Sequence, residues 1–244
     1  YVSVSAMFDP GWTKQSKVER YTANLNTTYK ISKYVDVNLI SNASYRKQKA
    51  PGTLSSELDA VTGEVKRDFD INPYSYALNT SRALDANTFY TRNYAPFNIY
   101  HELENNYMDL AVTDFRAQGS IDIKPIPKVK ITLLAATKYS TTSREHYILD
   151  ESNQALAYRA MPTSTIRDNN PFLYSDPDNP LEYPISVLPY GGIYERTDNS
   201  MFGWDTRFSV TYNDVYADDH IVNLYAGMET NLVDRHKTWS RGWG

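Results

Sequence analysis

The stretch VTDFRAQGSIDIKPIPKVKITLLAATKYSTT, residues 112–142, sets two alternating runs on either side of a proline-bearing corner. With the residue before it, Ala111, Thr113, Phe115, Ala117, Gly119, Ile121 and Ile123 share one face of an extended chain. Asp114, Arg116, Gln118, Ser120, Asp122 and Lys124 share the other. Apolar and polar residues that alternate with period two mark a strand with one apolar face. Beyond the corner, Val129, Ile131, Leu133, Ala135, Thr137 and Tyr139 repeat the pattern, and only Leu134 and Ala136 break its polar side. Pro125 and Pro127 cannot both donate to a ladder, so both are expected in the turn.

The same plan recurs on either side. Tyr21, Ala23, Leu25, Thr27, Tyr29 and Ile31 form one run, and Val35, Val37, Leu39, Ala43 and Tyr45 form the next after a corner at residues 32–34. Near the C-terminal end, Phe202, Trp204, Phe208, Val210 and Tyr212 alternate with Asp205, Arg207, Ser209 and Thr211. A turn expected at 214–218 leads to Val222, Leu224, Ala226 and Met228. The pattern predicts about seven strands, most of about 11–15 residues, against about 5–6 in ordinary soluble strands. A strand of about 13 residues tilted near 45° covers about 30 Å, the thickness of a bilayer core.

Composition narrows the classes. The 244 residues carry a net charge of −4, with no cysteine and 21 tyrosines. The acidic balance and the lack of any basic run argue against nucleic acid as a partner. Disulfides, thiolate nucleophiles and cysteine-ligated zinc are excluded. Mean hydropathy is −0.57, and no window suits a membrane helix. Barrel strands evade such scans, because only every second residue is apolar. The connections at 31–35, 124–129 and 213–219 are short, whereas 47–106 and 147–200 are long. Short turns on one side and long loops on the other is the plan of an outer-membrane barrel. A soluble or surface-attached β-sandwich that binds carbohydrate is the rival reading, and it would pack Phe202, Trp204, Phe208 and Val210 into a dry core. Both ends fall abruptly at apparent strands, so the sequence reads as a section of a longer chain.

The loops carry an identity signal of their own. INPYSYALNTSRALD (71–85), NYAPFNIYHELENNYMDL (93–110), NQALAYRAMPTSTIRDNNPFLYSDPDNP (153–180) and VLPYGGIYERTDNSMFGWD (187–205) occur in order between the strands. They resemble SusC/RagA-type TonB-dependent transporters of the Bacteroidetes outer membrane, and the resemblance spans nearly the whole chain. It implies an all-β fold, an antiparallel transmembrane barrel of about 22 strands with long extracellular loops. It also implies a plug domain inside the barrel, a SusD-like lipoprotein over the loops, TonB as the energy source, and an oligosaccharide or peptide as cargo. Members of the family commonly pair as homodimers. On this reading residues 1–244 are the middle part of the barrel domain. The plug, the TonB-contacting region and the barrel ends lie outside them. The polar residues Asp114, Arg116, Asp205 and Arg207 then face the lumen. Phe202, Trp204, Phe208 and Val210 face outer-membrane lipid.

No catalytic constellation, cofactor or metal site is expected, and the chain reads as a non-enzyme. His101, His146, His220 and His236 are scattered. Glu102 and Glu104, two apart, suit one face of a strand, and a solvated loop edge is favoured over a glycosidase pair. SDPDNP (175–180) is turn chemistry rather than a calcium loop. The functional candidates are loop aromatics that contact substrate or pack beneath a lid: Tyr74, Tyr76, Tyr90, Tyr94, Phe97 and Tyr100.

Overall fold

The structure, a computed structural model, describes all residues except 12–13, 53–56, 59–64, 67–70, 72, 93–94, 162–163, 169, 171 and 217–219; at 57–58, 65–66, 74–75, 79 and 165 it gives the backbone course alone. In chain order the elements are β1 (Val2–Asp9), β2 (Lys17–Ser32), β3 (Val35–Pro51), β4 (Glu57–Leu58), β5 (Val65–Lys66), α1 (Pro73–Asn79), β6 (Tyr90–Arg92), β7 (Ala95–Phe97) and α2 (Ile99–Asn105). They continue with β8 (Asn106–Ile126), β9 (Val129–Ile148), α3 (Asn153–Ala160), α4 (Ser164–Asp168), β10 (Leu173–Tyr174), β11 (Ile185–Ser186), β12 (Ile193–Tyr216) and β13 (His220–Trp243).

One seven-stranded sheet dominates, in the order β1-β2-β3-β8-β9-β12-β13, with every neighbouring pair antiparallel. The sheet is open, with β1 and β13 as its edges. The all-β antiparallel plan and the seven strands are those of the sequence pattern. Strand length is not. β2, β3, β8, β9, β12 and β13 run 16, 17, 21, 20, 24 and 24 residues, longer than the expected 11–15. The upper parts were hidden because charged residues there occupy the face that is apolar lower down. Glu145 and Arg196 pair in register on that face, with Asp109 beyond them.

Two turns also differ from expectation. Pro127 lies in the 127–128 turn, but Pro125 lies within β8, at the register shift between Ile123 and Ile126. A shift there removes the need for the donor that proline lacks. Asp214 is not in a turn. β12 continues through it to Tyr216, opposite His220.

The register makes the two faces continuous across the sheet. Tyr29, Val37, Ile121, Leu133, Phe208 and Met228 are successive partners, one row of an apolar face. Along β12 this face runs from Phe202 to Tyr212, about 33 Å of strand, or about 23 Å of height at a 45° tilt. Tyr45, Tyr139 and Trp204 sit well inside their strands, towards the upper edge of this belt.

Among the described residues, no loop or helix packs on either face of the sheet at belt height. Among the described residues the buried apolar side chains belong to the loops and to the strand ends beneath them: Ile71, Ala95, Phe97, Ile99, Leu103, Ile148, Ala155, Ala157, Phe172, Leu188 and Ile193. No described helix is long and apolar enough to cross a membrane, which says nothing of strands.

Candidate functional site

The described parts of the two long connections fold into one layer over the strand ends. α2 starts where Asn98 caps it, its side-chain oxygen accepting from the backbone N–H of Tyr100 (3.0 Å) and His101 (3.1 Å). α3 is capped by Ser152, whose hydroxyl accepts from the Ala155 N–H (3.2 Å), and it closes at Met161 in the left-handed region. Glu102 joins the two helices. Its Oε1 accepts from the Asn153 backbone N–H at the start of α3 (2.9 Å). The Asn153 side chain in turn donates to the carbonyls of Arg92 (2.7 Å), Ala95 (3.1 Å) and Pro96 (3.1 Å), fastening the β6–β7 hairpin.

Glu102 is 1% exposed, and its Oε2 has no hydrogen-bond partner among the described residues. Burial pushes its carboxyl above the usual carboxylate range, against the opposing pull of the Asn153 N–H and His101. The expectation that Glu102 and Glu104 share a strand face is corrected: both lie on α2, with Glu102 buried and Glu104 exposed. Two residues of helix turn a side chain to nearly the opposite side, which removes any paired-carboxylate reading.

The layer sits on the polar face of the sheet. The Asn106 Oδ1 accepts from His146 Nε2 (2.7 Å), and its amide nitrogen donates to Gln154 of α3 (3.3 Å). Phe172 packs edge-on to Trp243 (5.3 Å between centroids) and joins Ile148, Ala155, Leu188 and Ile193 in a core cluster. Gly52 donates its N–H to the Asn106 carbonyl (2.9 Å). A Cβ there would collide with the Asn106 amide and lie 2.6 Å from His146 Nε2, so the close approach requires glycine.

The aromatic candidates divide. Phe97 is fully buried, stacked on Tyr76 (6.3 Å) and tilted against Tyr90 (5.4 Å). These three pack the layer internally. Tyr100 is 39% exposed, with Lys14 Nζ 4.4 Å from its ring centre. The Tyr74 side chain and Tyr94 lie outside the described residues.

Asp114, Arg116, Asp205 and Arg207 all fall on the polar face, as their parity predicts. Asp114 accepts from Ser140 Oγ (2.6 Å), Asp205 pairs with Asn231, and Arg207 with Glu229 (2.8 Å). Phe202, Trp204, Phe208 and Val210 fall on the opposite face, the first three 49%, 39% and 43% exposed. Sequence reasoning missed Glu102 as a link between loops, because its partner lies 51 positions away.

No protein-family model matches the chain, and no curated protein matches it. Solved structures do. The RagAB peptide importer in its closed-closed state is similar over 100% of this chain, with a TM-score of 0.58 and 12% identity. The seven-stranded sheet with its loops shares the fold of part of that importer. A second structure, of the RagAB peptide transporter, matches 93% of the chain at 13% identity and a TM-score of 0.48. This chain spans 24% and 22% of those two chains, about a quarter of their length.

Proposed function

We propose that this chain is a section of barrel wall from an energy-coupled outer-membrane importer of the SusC/RagA type. The observation that carries the proposal is the division of the sheet. One face is a belt of bare Phe, Trp, Tyr, Leu and Ile about 23 Å high, close to the roughly 25 Å apolar band of outer-membrane barrels. The other face is polar and carries the loop layer at its upper end. The fold shared with a peptide importer supports the same reading. A bilayer satisfies the belt, and strands cross lipid only as part of a closed barrel, so the two open edges call for further strands on either side.

In this arrangement Phe202, Trp204, Phe208 and Val210 meet lipid, while Asp114, Arg116, Asp205 and Arg207 face the lumen. The loop layer, with Tyr100 exposed, faces outwards. There it offers a platform for a SusD-like lipoprotein and first contact for a peptide or oligosaccharide. The wall performs no bond chemistry. Transport follows from movement of a plug driven by TonB, both outside these residues, and the assembly pairs as a homodimer.

The test is fractionation of the full-length protein from its native cells. A membrane-bound species that needs detergent, far heavier than the 28.0 kDa of this section, co-purifying with a lipoprotein, is the expected result. A detergent-free monomer near that mass refutes the proposal and favours the soluble β-sandwich.

A further inference from the structure

The polar wall is not uniform from bottom to top. In its lower half three cations meet acids of the chain, and Lys30 stands opposite Asp36. Lys124 bonds Asp36 (3.0 Å), Lys130 meets Asp122 (3.2 Å) and Arg207 meets Glu229 (2.8 Å). In the upper half, just below the loop layer, the register gathers seven cations on the same face. Arg116 and Lys138 are direct partners, as are Arg20 and Arg46, and Arg144, Arg235 and Lys237 stand on neighbouring strands. None of the seven forms an ion pair or side-chain hydrogen bond among the described residues, and the Arg46 Nε is buried without a partner.

The acids at that height are already engaged. Asp114 accepts from Ser140 (2.6 Å), Asp9 from the Gly11 N–H (2.8 Å), and Glu195 from Arg241 (2.6 Å). A chain of net charge −4 thus concentrates unpaired positive charge on one patch of one wall. Five of the seven groups are guanidinium forks, whose planar donors match carboxylates.

From this patch, and resting on the importer reading above, we infer that the upper wall receives acidic peptides as cargo. Spacing favours a peptide over other polyanions. Arg235 and Lys237 stand two residues apart on β13, about 6.6 Å, while Arg20–Arg46 and Arg116–Lys138 face each other across neighbouring strands. Side chains on one side of an extended peptide repeat at the same interval. An extended segment with Asp or Glu at alternate positions therefore meets Arg235 and Lys237 in step, and the other five cations add attraction from the strands beside it. The position suits capture: the patch lies beneath the loop layer, where cargo arriving from outside first meets the wall.

The test uses the full-length protein in detergent and fluorescent peptides of equal length, alternating Asp-Ser, Gly-Ser or Lys-Ser. Fluorescence anisotropy reads binding at low salt and at roughly 0.3 M salt, where exposed charges are screened. The Asp-Ser probe is expected to bind at least about tenfold more tightly than the Gly-Ser probe and to lose that advantage at high salt. A triple variant, Arg116→Gln, Arg235→Gln and Lys237→Gln, is expected to remove the advantage and leave Gly-Ser binding unchanged. Equal binding of all probes overturns the inference. So does absence of binding, a preference for oligogalacturonate in competition, or equal losses for acidic and neutral probes, the mark of a wall that holds another part of the same protein. Should the variant fail to fold, the charge series on the unaltered protein decides. A protein that needs no detergent refutes the importer reading itself; a detergent-requiring protein with no acidic preference refutes this inference alone.

Discussion

Phe208 tests the assignment of the apolar face to lipid. It lies four residues above Tyr212 and six below Phe202, near mid-height of the belt, and is 43% exposed in the open sheet. If that face meets hydrocarbon, Phe208→Arg places a guanidinium near the bilayer midplane, at a cost of about 2–4 kcal/mol. That is a loss of roughly 30- to 700-fold in the folding equilibrium. Ser200→Arg, on the same face but above the belt, should cost about 0–1 kcal/mol, because the penalty falls towards the interface. Gln118→Arg, on the polar face at the Asp205 level, should change stability by under about 0.5 kcal/mol. Reversible urea unfolding of the full-length protein in lipid vesicles measures all three. A packed protein core would penalise Phe208→Arg too, but with no dependence on bilayer thickness. The reasoning fails if Phe208→Arg costs no more than Gln118→Arg, or if its cost is the same in thin and thick bilayers.

Three further outcomes follow from the loop layer. Gly52→Ala should destabilise the layer by about 1–3 kcal/mol, since the added methyl collides with the buried Asn106–His146 pair; faster limited proteolysis of the two long loops reads this out. Asn98→Ala should cost about 1 kcal/mol and speed amide exchange at Tyr100 and His101, while α3 keeps its protection. Glu102 gives a pH dependence. Its folded pKa is raised, so the folded layer holds its proton to higher pH than the unfolded chain does. The resulting stability is complete below the ordinary carboxylate value and is lost as pH rises through the raised one. Glu102→Gln keeps an acceptor for the Asn153 N–H and should flatten that dependence, measured as exchange protection at the start of α3. An unchanged slope would show that another group sets it.

Much of the sheet was legible because its lower half has a strong contrast between faces. Phe202 to Tyr212 and Phe115 to Asp122 follow period two. The upper strands were not legible, because Glu145, Arg196 and Asp109 stand on the belt parity while Ile148 and Ile193 stand on the polar parity under the loops. Alternation there answers to the loop layer packed on the polar face. The helices escaped for another reason. HELE has a strand-like spacing, and only Asn98 before it, a strong N-cap residue, signalled a helix. The cationic patch was invisible in one dimension. Arg20, Arg46, Arg116, Lys138, Arg144, Arg235 and Lys237 are scattered along the chain, and only the strand register brings them together.

The surplus length of the strands sets a distance that any external partner must bridge. β12 continues nine residues beyond Phe202 to Ile193, about 30 Å of strand and about 20 Å of height at a 45° tilt. On the importer reading, the mouth of the lumen is therefore a parapet raised well clear of the lipid surface. On the same reading, a lipoprotein lid held only by an acyl chain in the outer leaflet must span that drop, with at least about six extended residues between its lipid and its first folded contact. A shorter leash would keep the lid from the opening it serves.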